Sequence, residues 1–188
     1  MNKKILAIAV HPNLSGNFSK GDIKKSFASN VILHELESHP DITIHKLGEA
    51  YPDRNIDVKR EQDLLINHMH ILLIGPIFWY GLPAIAKRWI DDVLLYGWAY
   101  GSEGKELTGK TIQLALTSGS ALSEYSQDDI GNTIEELFSP YQRSFEYCGM
   151  LWKPIKFIGG INSDGIATRQ EQLTIKLRMF AKDLINSI

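Results

Sequence analysis

The chain has 188 residues, with 20 Lys and Arg against 22 Asp and Glu and a net charge of −2. That length suits one domain, residues 1–188, with a sizeable core, and the balance lacks the basic footprint that nucleic acid or an anionic membrane surface would call for. Cys148 is the only cysteine, so no disulfide can close within the chain, and a reducing, cytoplasmic setting is expected.

Residues 4–10 form a near-continuous apolar run of strand length, the pattern of a strand buried on both faces, and too short to span a membrane. A polar, glycine-containing stretch follows at 11–21. Ile23, Phe27, Val31 and Ile32 then recur at helical spacing up to Pro40. Residues 42–46 alternate apolar and polar, as a sheet-edge strand does, and 51–55 read as loop. A polar helix over 58–67 leads into a third strand at 71–75.

Pro83 opens the next helix from a first-turn position, and Gly97 is expected to close it. Ile85, Trp89 and Val93, flanked by Ala86, Ile90 and Leu94, make its inward face. A fourth strand is predicted at 111–117 and a helix at 132–147, with an interruption at Pro140. A fifth strand at 155–159 precedes a last helix over 169–187, which turns Leu173, Leu177, Phe180, Ala181 and Leu184 inward.

Strands alternating with helices imply an α/β three-layer sandwich around a parallel sheet. The five-strand order 2-1-3-4-5 is the natural candidate, with its ligand crevice at the carboxyl ends of the strands. Three segments then share one rim: 11–22, 76–81 and 118–125. The first is rich in small polar residues and leads into a helix. Ser15, Asn17 and Ser19 offer donors there, and His11 and Lys20 offer positive charge for a phosphate. An ordinary loop with Ser19 as helix N-cap is the alternative. In the second segment Phe78, Trp79 and Tyr80 cannot all point inward, so some must lie on the rim, where a flat heterocycle could stack. Trp89 belongs to the core, and Trp98 and Tyr100 are open between core and rim. In the third, Thr117, Ser118, Gly119 and Ser120 form a turn of small residues, with Tyr125 beyond it as a hydroxyl donor or a surface residue. The six histidines show no metal-ligand spacing.

The stretches AVHPNLSGNFSKGD, YPDRNID, GPIFWYGLPAIAKRWIDDVLLYGWAYG, LTSGS and EYCGM together resemble the flavodoxin-like NAD(P)H:quinone oxidoreductases. That group includes the ancillary flavoproteins of glutathione-gated potassium efflux systems. The resemblance implies a homodimer with a non-covalent flavin, FMN or alternatively FAD, and two-electron reduction of a quinone-like acceptor by NAD(P)H in ping-pong fashion. By position, His11, Asn17 and Ser19 would hold the phosphate and ribityl chain. Pro76, Ile77, Phe78, Trp79 and Tyr80 would flank the isoalloxazine. Thr117, Ser118 and Gly119 would meet its pyrimidine side, and Tyr125 would lie beside the nicotinamide and acceptor as the catalytic side chain. The chain departs from the family pattern in a longer first loop, in TSGS for TTGG, and in lacking a histidine near Gly131. A subunit bound to a potassium-efflux channel, a flavodoxin-type one-electron carrier and a flavin-free binding module are the alternatives.

Overall fold

The structure, a computed structural model, describes residues 5–14 and 26–187. The uninterrupted apolar runs become the middle of a parallel sheet. β1 (Ile5–Ala9) is buried at every position. β3 (His70–Pro76) and β4 (Thr111–Thr117) are buried apart from terminal residues. β2 (Ile42–Lys46) has the bounds its alternation predicts and lies at the sheet edge. The order is β2-β1-β3-β4-β5, the flavodoxin-like order expected from the sequence, with a further strand on β4.

Side chains leave the sheet with period two. Leu6 and Ile8 of the first strand, Val10 just beyond it, and Ile71 and Leu73 of the third enter one apolar layer with Leu65, Trp89, Ile90, Phe138 and Phe145. Ala7, Ala9, Leu72 and Ile74 enter the opposite layer with Phe27, Ile32, Leu173 and Leu177. Thus α3 (Val58–Ile66), α4 (Ala84–Val93) and α5 (Ile134–Tyr147) cover one face, and α1 (Phe27–Glu37) and α6 (Ser163–Ser187) the other. Among the described residues no helix is long and apolar enough to cross a membrane.

Several boundaries differ from the sequence expectation. α1 is capped by Ser26, whose hydroxyl accepts the Ser29 N–H at 3.0 Å, so Ser19 is not its N-cap; Ile23 lies outside the described residues. A one-turn helix, α2 (Leu47–Ala50), falls where none was predicted. Pro83 is the N-cap of α4 rather than part of its first turn, and the helix ends at Leu94, which is buried with a non-helical backbone. Gly97, with φ +79°, serves the next turn instead and donates its N–H to the Tyr100 carbonyl at 2.8 Å.

Pro140 does not interrupt α5. The carbonyl that its missing N–H would have reached, that of Glu136, accepts the Ser139 hydroxyl at 2.8 Å. The fifth strand is split into β5 (Leu151–Trp152) and β6 (Lys156–Ile158), both on β4. From Ile112 to Ala115 the inner strand advances three residues, while the outer advances four, from Trp152 to Lys156. The extra length surrounds Pro154, which has no N–H for the ladder and whose carbonyl accepts Gln113 Nε2 at 2.9 Å. α6 starts at Ser163 and kinks at Arg169 (φ −132°, ψ 29°), the position at which the sequence predicts the helix to begin.

Candidate active site

The parallel register brings the ends of three strands together. Ala9 lies opposite Ile74, and Ile74 opposite Ala115. His11, Ile77 and Ser118 therefore emerge along one rim.

The chain leaving β3 reverses at once. The Phe78 N–H donates to the Gly81 carbonyl at 2.9 Å, and the Gly81 N–H to the Phe78 carbonyl at 3.1 Å. Trp79 and Tyr80 between them have φ +48° and +63°. Two positive φ values define a type I′ hairpin turn, which asparagine and glycine adopt far more readily than aromatic residues. Ile77 N–H to Thr117 O at 2.8 Å anchors one side of the turn, and Leu82 N–H to the Tyr141 hydroxyl at 3.3 Å the other. The rings face outward: Phe78, Trp79 and Tyr80 are 43, 95 and 54 % exposed. Trp89 is buried, as expected, and Trp98 and Tyr100 pack against the core.

An open cleft of about 320 Å³ lies between this turn and the loop after β4, lined by Ile77, Trp79, Tyr80, Ser118, Gly119, Ser120 and Tyr125. Six of the sequence-predicted site residues thus meet there, joined by Ser120. Pro76 and Thr117, paired at the ends of their strands, immediately precede its lining residues Ile77 and Ser118. Phe78 stands to the side, edge-on to the His11 ring at 5.9 Å. Asn17, Ser19 and Lys20 lie outside the described residues.

His11 is buried, and burial holds its pKa below the ordinary histidine value. Its Nδ1 accepts the Asn13 N–H at 3.0 Å. The neutral ring then carries its proton on Nε2 and offers a donor, not the positive charge expected from the sequence. Gly48 of α2 presses on the backbone here: a Cβ on it would lie 2.7 Å from the Pro12 carbonyl oxygen and 2.9 Å from that of His11.

Ser118 is fixed on both sides of its backbone. Its N–H donates to Ile158 O at 3.2 Å, and its carbonyl accepts Ile161 N–H at 2.9 Å. Its Oγ accepts the Ser120 N–H at 3.0 Å and lies 2.7 Å from the Tyr125 hydroxyl. The Tyr125 ring meets Phe157 edge-on at 5.4 Å. Among the described residues the N–H groups of Trp79, Tyr80 and Gly119 make no hydrogen bond.

Apart from the cleft, α3 carries a buried polar group that the linear sequence did not reveal. Glu61 is fully buried. Its Oε1 accepts the Tyr51 hydroxyl at 2.6 Å and lies 2.9 Å from His45 Nε2, and its Oε2 accepts Trp89 Nε1–H at 2.8 Å. Burial, and then Glu61, push the Tyr51 pKa up, so the phenol stays a donor. The cluster ties β2, α3 and α4 together.

A family model described as flavodoxin-like fold matches residues 3–183. The chain is 40 % identical over 152 residues to an uncharacterized NAD(P)H oxidoreductase, YrkL, of Bacillus subtilis, covering 80 % of this chain and 82 % of that one. It is 37 % identical over 133 residues to the glutathione-regulated potassium-efflux system ancillary protein KefF of an Enterobacter species, covering 70 and 74 %. The solved structure of general stress protein 14 from Treponema denticola in complex with FMN superposes with a TM-score of 0.82 at 30 % identity, covering 97 % of this chain and 96 % of that one.

Proposed function

The chain belongs to the flavodoxin-like family, and from that premise we propose that it is a flavin-dependent oxidoreductase of the cytoplasm. On this proposal it takes a hydride from NAD(P)H and passes two electrons to a flat, quinone-like acceptor, in ping-pong order at one cleft. The observation that carries the proposal is the outward-facing Trp79–Tyr80 turn set across the cleft from Gly119, with three backbone N–H groups that have no partner among the described residues.

The residues present fit FMN. The amides of Trp79 and Tyr80 on one side and of Gly119 on the other would serve the polar edges of a flat ring, and the exposed aromatic rings would cover part of it. Donors near Gly119 suit the negative charge that a reduced ring carries on its pyrimidine side. His11 Nε2–H, with Asn17 and Ser19 of the first loop, would hold the phosphate. When bound, FMN supplies the hydride and electron chemistry, and the protein supplies position and electrostatics. FMN is proposed over FAD because the FMN-bound relative matches nearly the whole chain. NAD(P)H as reductant is supported by the name of the Bacillus relative.

A single domain, residues 1–188, assembling as a homodimer completes the proposal. Leu95, Tyr96, Tyr147 and Leu151 are exposed and apolar, as an interface would require. A second role, as ancillary subunit of a potassium-efflux channel, is favoured by the match to KefF; both roles are compatible with one flavin site.

The test is purification followed by an absorption spectrum and cofactor release. A yellow protein that releases FMN, is bleached by NADH or NADPH without oxygen, and regains colour with 1,4-benzoquinone is the expected result. A colourless protein that takes up no flavin rules the proposal out. Light scattering reads the dimer, and co-purification from membranes reads the channel partner.

A further inference from the structure

We infer that Tyr141 is a positioning residue for the cleft: its hydroxyl latches the outgoing side of the Trp79–Tyr80 turn and so holds both rings and both amides in the shape that a flat cofactor meets. This deepens the proposed function and rests on it. Two adjacent aromatic residues at φ +48° and +63° occupy a backbone region they rarely adopt, and such strain persists only where the surroundings fix it. The rings do not fix it, because Trp79 is 95 % and Tyr80 54 % exposed. The anchors are hydrogen bonds. Phe78 and Gly81 close the turn on itself, and Ile77 N–H ties the incoming side to Thr117 O at 2.8 Å. On the outgoing side Leu82 N–H donates to the Tyr141 hydroxyl at 3.3 Å. Pro83 follows and has no N–H, so Leu82 is the last donor before α4. Among the described residues, Tyr141 is the side chain that hydrogen-bonds the backbone of residues 77–82.

α5 holds the hydroxyl in place. The Tyr141 ring stacks on Phe138, three residues earlier, at 5.6 Å and 29°, and Phe138 is fully buried. Leu82 is buried as well, so water replaces the hydroxyl poorly as its partner. Gly81 keeps the approach open. A methyl group there would lie 3.2 Å from the Tyr141 oxygen, so that oxygen sits over the closing residue of the turn as well as at the residue beyond it. Tyr141 is not among the described residues that line the cleft. It acts through the turn, at one remove from the cofactor. Removing the hydroxyl leaves the Phe138 stack, while the turn keeps only its backbone anchors. The unfavourable φ values then spread over a wider set of turn shapes, and the rings and amides lose their common setting. A flat ring that binds a pre-set surface is spared the cost of ordering it.

The test compares wild type with Tyr141→Phe, Gly81→Ala and the double variant, by fluorescence titration of the cofactor-free proteins with FMN. One neutral hydrogen bond is worth about fivefold in an equilibrium, and Tyr141→Phe should weaken FMN binding by about that factor. Gly81→Ala crowds the same oxygen away from Leu82 and should do likewise. Combined, the two should lose no more than either alone, since the methyl group has room once the oxygen is gone. A second readout needs no cofactor. In protein labelled with 5-fluorotryptophan, the Trp79 and Trp89 resonances are each identified by substitution with phenylalanine. The Trp79 resonance should move or broaden in Tyr141→Phe, while that of Trp89, on the buried face of α4, stays where it is. An unchanged Trp79 resonance, or wild-type FMN affinity in Tyr141→Phe, removes the latch. Additive losses in the double variant, or equal shifts at Trp79 and Trp89, mark a general loosening of the helices and also overturn it. Wild type that takes up no FMN sinks the oxidoreductase function instead, and the Trp79 resonance then decides the latch alone.

Discussion

Oε1 of Glu61 accepts a 2.6 Å hydrogen bond from the hydroxyl of Tyr51, and both side chains are shut away from solvent. The carboxylate has two further neighbours, His45 and Trp89, so three elements depend on one buried charge. Burial alone would raise the Glu61 pKa. The close approach of the His45 ring and the hydrogen bonds from Tyr51 and Trp89 outweigh it, and the net direction is down.

A carboxyl whose pKa is lower folded than unfolded stabilises the fold above its unfolded pKa. That contribution is lost as pH falls through the folded value. Stability should therefore hold at neutral pH and decline below the unfolded glutamate pKa of about 4.3. In Glu61→Gln the fold should be about 3–5 kcal/mol weaker at neutral pH and its acid decline shallower. Urea unfolding across the acid range reads both, and an unchanged acid limb in the variant would remove Glu61 from the account.

The Trp79–Tyr80 turn makes a prediction in two directions. Replacing the pair by Asn-Gly keeps a type I′ backbone and relieves two unfavourable φ values. The cofactor-free protein should gain about 1–3 kcal/mol, while FMN affinity should fall by up to about tenfold through loss of the rings. Chemical denaturation and fluorescence titration separate the two effects. A variant that is no more stable would mean that the turn carries no strain.

In α5, Ser139 and Pro140 should behave as a unit. Pro140→Ala restores the missing N–H, leaving the Ser139 hydroxyl redundant at Glu136. Ser139→Ala should then destabilise by about 0.5–1 kcal/mol beside proline and close to nothing beside alanine. A double-mutant cycle by thermal unfolding gives the coupling directly; equal losses in both backgrounds would show the two to be independent.

Gly48→Ala should act at a distance from the cleft. A methyl group at 2.7 Å from the Pro12 carbonyl oxygen must push backbone, not a pliable side chain. A loss of about 1–3 kcal/mol is expected, together with weaker FMN binding as His11 shifts. Calorimetry with and without FMN measures both, and affinity equal to wild type would place His11 outside the phosphate site.

The layout of the sheet was legible because burial on both faces writes a near-continuous apolar run, as in residues 4–10 and 71–74. The rim was legible because an exiting loop cannot bury Phe78, Trp79 and Tyr80 at once. What stayed hidden is what depends on distant partners. Nothing in Trp79-Tyr80 announces a turn normally made by asparagine and glycine. Glu61 sits on a helix that reads as polar, and its partners come from residues 45, 51 and 89. The first turns of α6 precede the apolar spacing that begins at Leu173, so no periodicity marks the start at Ser163. The break at Pro154 depends on the Gln113 side chain reaching across from the next strand. Ser118 and Tyr125 were each singled out, but their contact exists only once the loop folds back.

The interruption between Leu151–Trp152 and Lys156–Ile158 has a consequence for neighbours as well as for the strand itself. The outer margin of the sheet here offers only two- and three-residue segments, separated by a proline. An extended segment from another molecule would find no long, flat template to zip onto. The irregularity thus guards against runaway intermolecular stacking at that border, and rebuilding it as one unbroken strand, with Pro154 replaced by valine and the surplus residue deleted, would be expected to trade that protection for filament formation.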